Sequence, residues 1–113
     1  MEVHIRIRGT DPTEAIRSHV ARRLRFSLGR FASRLGRVTV RISDVNGPRG
    51  GGDKVCRISA RLTHSGQVVV QETVDANLRV AIDHATERIG QSCGRELQRL
   101  RERGTGTRSM RTG

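Results

Sequence analysis

The chain contains no tryptophan and no tyrosine, and its only aromatic rings are Phe26 and Phe31. The core must therefore come from Val, Ile, Leu and Ala. The same scarcity argues against a reader of single-stranded RNA, because such proteins stack bases on aromatic side chains. Lysine is almost missing as well, and Lys54 is the one exception among the basic residues. Acidic residues are scarce: Asp plus Glu is 11 against 22 Lys plus Arg, which leaves +11 with neutral histidine. No apolar run approaches the roughly 20 residues needed to cross a bilayer. The opening MEVHIRIRG has no apolar segment of the kind found in secretory signals. The two cysteines, Cys56 and Cys93, are far apart, and neither lies in a CxxC or beside a histidine. The histidines His4, His19, His64 and His84 are scattered, so no metal site is expected. No Ser-His-Asp or paired-carboxylate constellation stands out. These absences point away from an enzyme, a cofactor, a small-molecule substrate and a membrane, and toward a reduced, cytoplasmic binding protein.

What remains is patterned. Glu2 to Arg8 alternates, with Val3, Ile5 and Ile7 on one side and His4, Arg6 and Arg8 on the other, as in a half-buried strand. Thr10 or Asp11 can cap a following helix, with Pro12 in its first turn and Glu14 supplying early negative charge. The stripe Ile16, Val20, Leu24, Leu28, Phe31 and Leu35 predicts a helix running to about Leu35, weakened and ended by Gly29 and Gly36. RVTVRIS and KVCRISARL alternate in turn, with DVNGPRGGGD as the loop between them. THSG reads as a hairpin turn and QVVVQETV as a fourth strand. Asp75 or Asn77 can cap a second helix, whose apolar stripe is Leu78, Ile82, Ala85, Ile89, Cys93, Leu97 and Leu100. The order β-α-β-β-β-α predicts an α+β two-layer sandwich, a four-stranded mixed sheet with both helices packed on one face. Its first two strands are expected to be parallel. Residues 1–103 form one domain in this reading, and 104–113, without periodicity, form a mobile basic tail. Cys56 and Cys93 fall on core positions, where a free thiol packs as a small hydrophobe.

The arginines also follow a pattern. On a helical wheel, His19, Arg23, Arg30 and Arg34 share one flank of the first apolar stripe. His84, Arg88, Arg95 and Arg99 share one flank of the second, with Gln91 and Ser92 along the same side. Single arginines are usually just solvated, and the neighbouring acids Asp83 and Glu87 read as surface residues balancing them. Two stripes with few carboxylates nearby are harder to dismiss, because like charges on one helix face repel. A phosphate backbone is the polyanion that relieves this, since each contact releases counterions. If both helices lie on one sheet face, the stripes could border the groove between them. The loop GPRGGGDK is not a phosphate-binding P-loop, because Asp53 stands where that motif needs lysine and a strand follows.

Two segments carry a resemblance. AIRSHVARRL (Ala15 to Leu24) resembles the first helix, and DANLRVAIDHATERI (Asp75 to Ile89) the second helix, of the ribosome hibernation-promoting and ribosome-associated inhibitor family, also called the sigma-54 modulation proteins. The match covers about residues 2–103 and looks like a short, divergent branch. It departs from the family at Leu78, where an aromatic residue is common, and at Gln91, where a basic one is. Gly29, Gly90 and Gly94 are expected to interrupt the helices. The resemblance implies a monomeric protein that binds the 16S rRNA of the small (30S) ribosomal subunit in the tRNA–mRNA channel and inhibits translation under stress or in stationary phase. It carries RNA contact onto Arg17, Arg23 and Arg30 in the first helix and onto Arg88 and Arg95 in the second. With the wheel stripes and Arg22, the candidate RNA-binding set is Arg17, His19, Arg22, Arg23, Arg30, Arg34, His84, Arg88, Arg95 and Arg99. No dimerisation domain of the kind that pairs ribosomes is expected. The alternative is a general nucleic-acid-binding module on the same fold that does not block translation.

Overall fold

Strand β1, Glu2–Arg8, lies parallel to β2, Leu35–Val45, with Val3 opposite Val38, Ile5 opposite Val40 and Ile7 opposite Ile42. The register therefore places the apolar residues of both strands on one side. These relations come from a computed structural model, which describes the backbone of residues 1–9, 13–45 and 53–112 and the side chains of residues 1–9, 13–44 and 53–103. Strands β3, Asp53–Leu62, and β4, Val68–Asp75, complete an antiparallel run, and the sheet order is β1-β2-β3-β4. The β3–β4 hairpin closes through Leu62 N–H to the Gln67 carbonyl at 2.8 Å and Gly66 N–H to the Leu62 carbonyl at 2.9 Å. Gly66 takes φ +73 there, a conformation that costs glycine little.

Helix α1, Glu14–Leu28, is capped by Thr13, whose Oγ1 accepts the Ile16 N–H at 3.2 Å. The expected caps Thr10 and Asp11, and Pro12, lie outside the described residues. Val20, Leu24 and Leu28 are fully buried, and Ile16 packs against them. Fully burying an aliphatic side chain of this size is worth about 1.5–3 kcal/mol, so this stripe is what pins α1 to the sheet.

The expectation that α1 runs to Leu35 is corrected. The α-helix stops at Leu28, Gly29–Arg34 form a 3-10 turn, and Leu35 already belongs to β2. Gly29 has open space where its Cβ would be, so packing does not demand glycine at this position. It acts through its poor helix propensity. Leu35 is buried from the strand, and its helical spacing from Leu28 is coincidental. β2 also carries one extra residue between Leu35 and Val38 relative to β3, which pairs Leu35 with Leu62 and Val38 with Ala60.

Helix α2, Leu78–Thr112, begins at Asn77, whose Oδ1 accepts the N–H groups of Arg79 at 2.9 Å and Val80 at 3.3 Å. Asp75 supports the cap by accepting the Asn77 N–H at 2.8 Å. Ala81, Ile82, Ala85, Ile89, Cys93 and Leu97 are buried and join the sheet's inner face and α1 in one core. Thr73 on β4 ties the helix down, donating from Oγ1 to the Ala81 carbonyl at 2.6 Å. The helix continues beyond Arg103, where a tail was expected to begin, while the side chains from residue 104 onward lie outside the described residues.

Gly90 and Gly94 do not interrupt α2. A Cβ on Gly90 would meet the Ser27 carbonyl oxygen at 2.8 Å, and one on Gly94 would meet the Phe31 ring at 3.3 Å. These glycines let the two helices touch. Cys56 and Cys93 are free and buried as expected, and burial raises their thiols to about 12 and about 11 respectively.

Candidate nucleic-acid interface

The contact at Gly90 sets which flank of each helix faces the other. On α1 it is the predicted flank. His19 Nε2 lies 2.8 Å from Asp83 Oδ1, and Arg23 Nε lies 3.3 Å from the same oxygen, near enough for an ion pair but not aligned as a hydrogen bond. Asp83 thus neutralises the start of the stripe, the balancing role read for it from the sequence. Further along, Arg23, Phe26, Ser27 and Arg30 form one wall of an inter-helical groove, facing Glu87, Gly90 and Gln91. The groove then continues past Arg30, Phe31 and Arg34 to Gln91, Gly94, Gln98 and Arg101.

Three details shape this groove. The Arg30 guanidinium rests over the Phe31 ring at 4.7 Å, which holds it in place without a carboxylate partner among the described residues. Ser27 Oγ is buried in the wall and has no hydrogen-bond partner among the described residues. Phe26 is 85% exposed, with the Arg23 guanidinium 6.0 Å from its ring centre. One of the two aromatic rings therefore sits on the cationic surface instead of in the core.

The α2 stripe goes elsewhere. Arg95 Nη2 donates to Ser92 Oγ at 3.3 Å, and Ser92 in turn accepts from Gln71 of β4 at 2.8 Å. Arg99 Nη1 donates to Glu96 at 2.8 Å, and Glu96 accepts from Gln67, just before β4, at 3.0 Å. His84 and Arg88 are exposed on the same flank. The possibility that both stripes border the groove is therefore met on α1 alone. The α1 stripe borders the groove, whereas the α2 stripe runs along the outer edge above β4. Arg95 is the partial exception, since it also reaches the groove rim near Gly94. The α2 polar residues that do face α1 include Asp83, Glu87, Gln91, Gln98, Arg101 and Glu102. Arg101 was missed in the sequence. The signal for it is the Gly90/Gly94 pair, four residues apart, which marks the contact face about two turns before it. Arg17 is half-buried beside the core stripe, and Arg22 is exposed.

The described residues hold no cluster of three or more metal-ligating side chains, and no described helix is long and apolar enough to cross a membrane. A groove of this kind offers guanidinium forks and amides, groups that hydrogen-bond phosphate, beside the carboxylates of Glu87 and Glu102.

The family model described as "Sigma 54 modulation protein / S30EA ribosomal protein" matches residues 3–103. The chain belongs to that family. Among solved structures, the fold is similar to a ribosomal subunit interface protein from Coxiella burnetii, at TM-score 0.70 and 11% identity over 87% of this chain and 99% of that one. It is also similar to the N-terminal domain of Protein Y from Thermus thermophilus, at TM-score 0.64 and 25% identity over 84% of this chain and 98% of that one. No curated protein matches the chain in sequence. As a member of this family, the protein is a ribosome-associated modulation factor.

Proposed function

We propose that the protein binds 16S rRNA of the small ribosomal subunit in the channel shared by tRNA and mRNA, and that it silences translation there under stress or in stationary phase, as a cytoplasmic monomer. The observation that carries this reading is the inter-helical groove in which Arg30 and Arg34 meet no carboxylate within 4 Å among the described residues, while Arg30 is fixed over Phe31. Family membership supplies the ribosome, and the groove supplies the means of contact. Each phosphate neutralised there steepens the slope of log Kobs against log salt, by about 0.9 on the scale set by B-form DNA. The Phe31 ring holds the Arg30 guanidinium before binding, which lowers the ordering entropy that this one side chain opposes to association.

A second reading has support of its own. The α2 stripe diverges from the groove, so positive charge is spread around the domain. That distribution favours a general nucleic-acid-binding module that does not block translation. Sedimentation with small subunits, followed by translation in a cell-free extract, separates the two. Binding with inhibition supports the first reading; binding without inhibition supports the second. Reversing Arg23, Arg30, Arg88 and Arg95 to glutamate should abolish sedimentation while the circular dichroism of the fold persists. If that variant still sediments, the assignment of these side chains is wrong.

A further inference from the structure

The helices cover only one face of the sheet, and the other face carries arginines that the groove does not use. Pairing places Arg6 of β1 opposite Arg41 of β2, and Arg41 opposite Arg57 of β3. Their neighbours along the strands, Ile5 and Ile7, Val40 and Ile42, Cys56 and Ile58, all point into the core. The three arginines therefore form one row across three adjacent strands on the open face, spanning about 10 Å at the usual strand spacing. Arg8 lies on one side of this row. On the other, Arg37 and Arg61 line a shallow depression with Glu2, Thr39 and Ser59. All six arginines are exposed, and none has a carboxylate within 4 Å among the described residues. Glu2 is engaged by His4 at 2.8 Å; that hydrogen bond, with weaker attraction to Arg37, holds its carboxyl below the usual range. Glu72, opposite Arg57, and Asp53, at the start of β3, are the other acids on this face among the described residues.

Such a row opposes folding, because like charges directly across a ladder repel. Charged residues often protect sheet edges from pairing with other chains. That explains Arg6 and Arg8 on the edge strand β1, but Arg41 and Arg57 lie on β2 and β3, which are paired on both sides. The adjacent row, His4, Thr39, Ser59 and Val70, shows that uncharged residues fit the same surface. The outward positions of the described strands carry no aromatic ring, so the face is not built to stack bases. We infer that this open sheet face is a second binding surface for the phosphate backbone of double-stranded RNA, on the side of the domain opposite the helical groove. The domain then bridges two RNA segments. This goes beyond the groove reading and does not depend on it.

The test uses a short blunt RNA duplex of arbitrary sequence at low salt, with stoichiometry read by analytical ultracentrifugation. The wild-type chain should take two duplexes. R6Q/R41Q/R57Q should take one, with the salt slope reduced by about two to three. It should unfold at or above the wild-type temperature, since repulsion has been removed. R23Q/R30Q/R34Q should also take one duplex, and if it keeps two while the sheet variant loses one, the groove reading fails and this one stands. In the wild type, amide resonances of β1, β2 and β3 should shift as the duplex is added. Sheet amides that do not move, or a sheet variant that takes as many duplexes as the wild type, would each overturn the inference. So would a sheet variant that keeps its RNA but loses binding to poly-glutamate, because the face would then serve an acidic polypeptide.

Discussion

Replacing Gly90 with alanine tests the helix contact on which the groove depends. The new Cβ would lie 2.8 Å from the Ser27 carbonyl oxygen and 3.1 Å from the Ser27 Cβ. Ordinary contact begins near 3.4 Å, so the helices must part by about 0.6 Å, and the obstacle is backbone that cannot rotate away. Overpacking of this kind costs about 1–3 kcal/mol. Against it, alanine gains about 0.8–1.0 kcal/mol of helix propensity over glycine. The net expectation is a loss of about 1 kcal/mol. Gly94→Ala is the matched comparison, since the same propensity gain applies but the neighbour is the edge of the half-buried Phe31 ring at 3.3 Å, which can tilt. A net gain of about 0.5 kcal/mol is expected there. For a domain of this size, about 1 kcal/mol moves the thermal midpoint by about 3–6 °C. Thermal unfolding followed by circular dichroism should therefore rank Gly94→Ala above wild type and Gly90→Ala below it. A Gly90→Ala midpoint equal to or above that of Gly94→Ala would refute the claim that backbone contact, and not mere tolerance, keeps glycine at position 90.

Three further expectations follow from single contacts. Asp83→Asn removes the carboxylate that holds His19 and Arg23; RNA binding should tighten and its salt slope steepen by about one, with stability changed by less than about 1 kcal/mol. Burial lifts the thiols of Cys56 and Cys93 from the ordinary 9.0 to about 12 and about 11, so their contribution to stability is complete below pH 9 and lost as pH rises toward those values. With no tyrosine and Lys54 the sole lysine, little else titrates there; denaturant midpoints should fall above pH 9, and a Cys56→Val, Cys93→Val double variant should flatten that fall. Thr73→Val removes the 2.6 Å buried hydrogen bond to the Ala81 carbonyl; equilibrium unfolding should show a loss of about 1 kcal/mol, and no loss would mean the bond is structurally idle.

The sequence made the elements legible because their signals are local. Alternation in Glu2–Arg8 and the Val20, Leu24, Leu28 stripe are properties of a strand and a helix taken alone. Leu35 misled because a residue can sit at helical spacing from Leu28 and still be buried from a strand. The groove was half legible for a related reason. A wheel shows which residues share a flank, as His19, Arg23, Arg30 and Arg34 do, but not which flank of α2 meets α1. That choice is made by the shape of the contact, in which Gly90 accepts the Ser27 backbone, and it sends Arg88 and Arg99 to the far side. Gly90 and Gly94 looked like breaks because propensity is visible in sequence and steric fit is not.

The extra residue in β2 between Leu35 and Val38 has a wider effect than its size suggests. Leu35 and Val38 are an odd number of positions apart, yet both are buried. The parity of the strand is reset at that point, and everything after it, core valines and surface guanidinium groups alike, inherits the new phase. Loss of Gly36 would force a choice between turning Arg41 into the core and expelling Leu35. Expelling one leucine is far less costly than burying a charge. The junction between crossover and sheet can therefore absorb a one-residue change in length, whereas the same change after Val38 would turn the sheet inside out.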